Sequence, residues 1–77
     1  MKKRPLTNVI YELELIGEEG EIKEEFSISF DSELYDSDRE STDHIAINMK
    51  VVELKEKYGE DLLLLNYSIS RGLHIVH

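Results

Sequence analysis

The sequence predicts a small α+β domain, a sheet of about three antiparallel strands with one helix, in the order strand, strand, helix, strand. Three observations lead there. Two stretches alternate apolar and polar residues on either side of a glycine-bounded turn, a capped run ending at Gly59 has the marks of a helix, and an apolar run from Leu62 has the length of a strand. A small all-β barrel is the alternative, because residues 44–52 also alternate.

From Asn8 to Ile16, Val9, Tyr11, Leu13 and Leu15 share one face, with Glu12 and Glu14 on the other. This is the two-residue period of a half-buried strand. From Ile22 to Phe30 the pattern returns, with Ile22, Phe26, Ile28 and Phe30 on one side and Lys23, Glu25, Ser27 and Ser29 opposite; Glu24 is an exception on the apolar side. Gly17, Glu18, Glu19 and Gly20 lie between the two stretches and predict a hairpin. A register placing Leu15 opposite Ile22 also sets Tyr11 against Phe26, Val9 against Ile28 and Glu14 against Lys23, all favourable cross-strand pairs.

Residues 31–40 show no period and are rich in serine and acid, which predicts an exposed, mobile loop. A helix is expected next. Ser41 or Thr42 caps its start, Asp43 complements the dipole, Lys55 and Lys57 occupy the last turn, and Gly59 terminates it. At 100° per residue Ile47, Val51, Leu54 and Tyr58 form one stripe, and Ile45, Met49 and Val52 a second on nearly the opposite side. Either the helix is buried on both sides or residues 44–52 form a strand; the cap and Gly59 favour the helix. The last strand, Leu62 to Ile69, places Leu63, Leu65, Tyr67 and Ile69 inward and adds Leu62 and Leu64 to a second apolar face. Arg71 and Gly72 mark a bend or bulge, beyond which Leu73 to His77 continue the strand or add a short one.

Composition narrows the function classes. Seventeen acids against nine lysines and arginines leave 77 residues with a net charge of −8 and no cysteine. The charge is regional. Residues 1–11 carry three bases and no acid, whereas residues 12–40 hold twelve carboxylates against Lys23 and Arg39, a net of −10. Such a block repels nucleic acid and attracts basic surfaces. Lys2, Lys3 and Arg4, within a flexible basic end at 1–6, cannot offset it, so direct nucleic-acid binding is not expected. Residues 7–77 read as one domain. No apolar run approaches the about 18 residues of a membrane span, and no signal-peptide core follows the basic start, which points to a cytoplasmic protein.

Sites for chemistry are absent from the pattern. Asp36, Asp38 and Glu40 alternate as a calcium loop does, but Ser41 stands where that loop needs glycine and Ile47 where it needs glutamate. His74 and His77 point to opposite faces of a strand. No phosphate loop or nucleophile elbow occurs, and so short a chain hardly encloses a pocket of about 300 Å³. We expect no enzyme, metal or cofactor.

The acidic surface is what remains. Glu12, Glu14, Glu18, Glu19, Glu25, Asp36 and Asp38 are the expected partner-binding positions, with same-face acids about 6.7 Å apart along a strand and two rows together giving about one charge per 3.4 Å, as along one strand of DNA. In size, charge and element order the chain resembles the small acidic phage proteins that block uracil-DNA glycosylase and other nucleic-acid enzymes; no motif of theirs can be placed on these residues, so no site carries over. The expected function is protein binding, as a nucleic-acid mimic that inhibits a DNA- or RNA-binding protein. The alternative is an accessory dimeric subunit that binds through apolar faces, its acid serving solubility. A homodimer is expected on either reading, through Ile45, Met49, Val52, Leu62 and Leu64, since exposed apolar faces invite a second copy.

Overall fold

A computed structural model describes the backbone of residues 5–75 and the side chains of residues 5–72. The basic residues Lys2, Lys3 and Arg4, and His77, lie outside the described residues, as does the side chain of His74. Strand β1 (Pro5–Gly17) and strand β2 (Gly20–Asp31) form the hairpin, helix α1 (Ser32–Ser37) and helix α2 (Arg39–Tyr58) follow, and strand β3 (Leu63–Ile75) completes an open antiparallel sheet of order β2-β1-β3. The α+β class is as expected, and the sheet does not close into a barrel.

The hairpin register follows from matching apolar faces: Leu15 opposes Ile22, Tyr11 opposes Phe26, Val9 opposes Ile28 and Glu14 opposes Lys23. A slip of one residue would turn every one of these faces over. The Tyr11 and Phe26 rings stack at 4.9 Å. Glu18 and Glu19 keep negative φ, and the left-handed step of the turn falls on Gly20, at φ 115°.

The expected loop at 31–40 is instead a short helix and a junction. Asp31 caps α1, its carboxylate accepting from the Glu33 N–H at 3.3 Å, and Tyr35 is buried with its ring stacked on Phe30 at 5.1 Å. Six residues with only Ser32 and Tyr35 buried are too few to show a helical period. The cap of α2 also moves: Asp38 rather than Ser41 or Thr42 is the N-cap, accepting from the Ser41 N–H at 3.2 Å, while the Thr42 hydroxyl donates to the Asp38 carbonyl at 2.8 Å. At the other end the Gly59 N–H donates to the Lys55 carbonyl at 2.8 Å with φ 113°, as the glycine suggested.

Residues 44–52 are helical. Ile47 and Leu54 are buried and Val51 is half-buried, all on the sheet side, while Tyr58 at the helix end is exposed. Ile45, Met49 and Val52 face away from the sheet, 59%, 69% and 58% exposed. Lys50 explains Glu24, the acid on the apolar side of β2: its Nζ lies 3.8 Å from the Glu24 carboxylate and over the Phe26 ring.

Strand β3 departs from expectation in parity. Asn66 opposes Glu14 but Leu64 opposes Leu15, so Leu65 is an extra residue in a β-bulge. One extra residue exchanges inside and outside. Leu63 and Leu65, expected inward, are exposed; Leu62, expected on an outer face, is 2% exposed in the core, and Leu64 is half-buried against it. Tyr67 opposes the buried Leu13 and so keeps the expected inward parity, although at the sheet edge it is 47% exposed. Ile69 faces the core as expected. No bend interrupts Arg71 and Gly72, which pair regularly with Val9 and Asn8.

The core lies between the helices and the face of β1 that carries Val9, Tyr11, Leu13 and Leu15. Among the described residues nothing covers the opposite sheet face. The molecule is elongated, 50 by 19 by 18 Å with a radius of gyration of 14.6 Å, against about 11.5 Å for a compact chain of this length.

Candidate functional site

The seven acids singled out in the sequence separate into three places. Alternation puts Glu12, Glu14 and Glu25 on the uncovered sheet face, where Glu12 directly opposes Glu25 on β2 and Ser68 on β3. With Lys23, Asn66 and Ser68 they line an open depression of about 410 Å³. Glu21 occupies the same face one step nearer the turn. Lys23, opposite Glu14, interrupts the second row, so the charge density falls short of the expected one per about 3.4 Å.

Glu18 and Glu19 sit at the hairpin tip, beside Lys57 and Tyr58 of α2. Asp36 and Asp38 are in the helix junction that follows β2, at the end of the hairpin away from the tip, where Asp31 pairs with Leu6. Eleven strand positions, about 36 Å, separate that pair from the tip. Both aspartates already serve the fold: Asp36 accepts from Arg39 Nε at 3.0 Å and pairs with its Nη2 at 2.9 Å, and Asp38 caps α2. The single acidic surface of hairpin and loop is thus reduced to the sheet face.

A second cluster was not foreseen. The Asp43 carboxylate, 4% exposed, accepts from the Tyr11 hydroxyl at 2.7 Å, from the Tyr35 hydroxyl at 2.8 and 3.0 Å, and from Arg71 Nη2 at 2.8 Å; Arg71 Nε donates to the Tyr35 oxygen at 2.7 Å. These four residues come from β1, α1, α2 and β3. Among the described residues no buried side-chain polar atom lacks a partner.

The electrostatics are those of a clamp. Burial by itself raises the Asp43 pKa, but the hydrogen bonds from Tyr11, Tyr35 and Arg71 outweigh it and hold the carboxylate below its usual range. Burial pushes the Tyr11 and Tyr35 hydroxyls up, and the neighbouring Asp43 adds to the rise. The Tyr35 oxygen and Asp43 stabilise the Arg71 cation. Both tyrosine hydroxyls and two of the Arg71 nitrogens donate within the cluster, which so ties both helices to the sheet.

Part of this was readable. Asp43 lies on the inward stripe with Ile47 and Leu54, and Arg71 has the parity of Ile69, so two charged residues occupy core positions and imply each other. Tyr35 gave no such signal, being in a segment without period.

Among the described residues no helix is long and apolar enough to cross a membrane. No protein-family model, curated protein or solved structure matches this chain.

Proposed function

We propose that the protein is a small cytoplasmic binding module whose uncovered sheet face engages a basic protein surface, of the kind a nucleic-acid-binding protein presents, and so competes with nucleic acid for it. One observation carries this reading. Glu12 and Glu25 stand directly opposite each other on a face that contributes nothing to the core, with Glu14 and Glu21 adjoining. Like charges so placed cost stability. A cation delivered by a partner relieves that repulsion, whereas the acids at the helix junction are already engaged in capping and ion pairing.

The test is affinity capture from a lysate with the wild-type chain and with a Glu12→Lys, Glu25→Lys double variant. Wild type retains a basic protein that excess duplex DNA releases, and the double variant does not retain it. Retention that survives charge reversal and is lost in Met49→Glu would establish the second reading, an accessory subunit that binds through apolar faces. The outward helix stripe of Ile45, Met49 and Val52 favours that alternative.

A further inference from the structure

The two edges of the sheet differ in kind. Strand β2 carries Glu21, Lys23, Glu24 and Glu25, charges of the sort that keep an edge from pairing with another chain. Strand β3 has none of this protection. From Leu62 to Ile75 there is no carboxylate and one arginine, Arg71, which is turned to Asp43. Its outer edge pairs with no strand among the described residues, and Leu63, Leu65 and Tyr67 stand exposed along it. Beside it lies a groove between α2 and β3 of about 260 Å³, lined by Ile47, Tyr67 and Ile69 and, toward the start of α2, by Arg39, Glu40 and Arg71.

We propose that β3 pairs antiparallel with β3 of a second copy, joining two sheets into one of six strands. Charge selects this occupant. Each copy carries −8, so two copies can meet closely only where acids are absent, and β3 is the strand that meets that condition. Pairing β3 with β2 of another copy would bring acids into the contact and would leave free edges at both ends, giving an open chain of molecules; β3 with β3 closes on a two-fold axis. The bulge at Leu65 limits regular pairing to the stretch from Asn66 onward. The contact therefore differs from the dimer expected from the sequence, which used the helix stripe with Leu62 and Leu64; Leu62 is in the core.

A two-fold axis normal to the sheet keeps like faces together. Both helices then lie on one side, and both acidic depressions on the other, with the two β1 strands three strand spacings, about 14 Å, apart. The second copy thus doubles the acidic face. The pairing itself does not depend on what that face binds.

Sedimentation equilibrium of the full chain at about 100 µM, in low and in high salt, gives the first readout. The expected result is twice the 9.0 kDa chain mass, with tighter association as salt screens the mutual repulsion, the opposite of the salt response of a basic partner. Tyr67→Lys and Ser70→Lys weaken the dimer by about tenfold or more by setting charge along the edge, while Met49→Lys leaves it intact. A monomer at this concentration overturns the proposal, as does a dimer lost in Met49→Lys but kept in both edge variants. Should the edge variants fail to fold by circular dichroism, hydrogen exchange on the unaltered chain decides. Outward-facing amides of residues 66–75 that exchange as slowly as those of β1 support the pairing, and exchange as fast as at the free edge of β2 refutes it.

Discussion

Replacing Asp43 by alanine tests the clamp directly. The substitution removes an acceptor that three side chains share and leaves the Tyr11 and Tyr35 hydroxyls and the Arg71 guanidinium facing each other. Hydrogen bonds to a charged group contribute about 1.5–3 kcal/mol each. Simple addition overstates the loss, because the Arg71 side chain is 41% exposed and water replaces part of what it gives up. The remaining cost is that of two buried hydroxyls without their acceptor and an unpaired cation at the core margin, about 3–5 kcal/mol. A chain of this length has a total stability of about 4–12 kcal/mol. Asp43→Ala is therefore expected to bring the protein close to its unfolding threshold. Urea titration followed by circular dichroism measures it, with Asp43→Asn as the isosteric control that keeps an acceptor oxygen and loses less. A loss below about 1 kcal/mol for Asp43→Ala, with an unchanged urea dependence, would refute the idea that this network holds the helices to the sheet.

The remaining predictions concern pH, the acidic face and the helix cap. The Asp43 carboxylate titrates lower in the folded than in the unfolded chain, so its contribution is complete above the ordinary Asp value near ~3.9 and is lost as pH falls through the folded value; a urea series from neutral to acid pH should show this slope in wild type and not in Asp43→Asn. Tyr11 and Tyr35 titrate higher when folded, so their contribution holds below about pH 10 and declines as pH rises through their folded values. Thermal melts of Tyr11→Phe should show a weaker alkaline decline. Glu25→Gln removes the like-charge pair with Glu12 and should stabilise the protein by about 0.2–1 kcal/mol at low salt, while weakening retention of a basic partner; stabilisation with unaltered retention would count against the proposed binding face. Asp38→Ala removes the cap of α2 and should cost about 1 kcal/mol in the same urea assay.

What could be read in the sequence was local and periodic. The alternation of Val9, Tyr11, Leu13 and Leu15 against Ile22, Phe26 and Ile28 sufficed for the hairpin and its register, because a two-residue period allows one pairing that buries both apolar faces. Gly59 and the stripe of Ile47, Val51 and Leu54 likewise located the carboxyl end and the inward side of α2. Glu12, Glu14 and Glu25 were placed on a common face by the same arithmetic.

The tertiary structure decided what depends on contacts between distant residues. A single bulge at Leu65 inverted the parity of the residues that precede it, sending Leu62 into the core and leaving Leu63 and Leu65 exposed at an open edge, and nothing in a run of four leucines marks which one is extra. Tyr35 ordered a segment that by composition looks like a loop, since one aromatic ring stacked on Phe30 and bonded to Asp43 and Arg71 outweighs the weak propensities of its neighbours. The acids were likewise sorted by where the strands end. Regional charge is a property of the chain, but whether two carboxylates share a sheet face or sit at the turn or at the helix junction is set by the hairpin's length and the fold at its two ends.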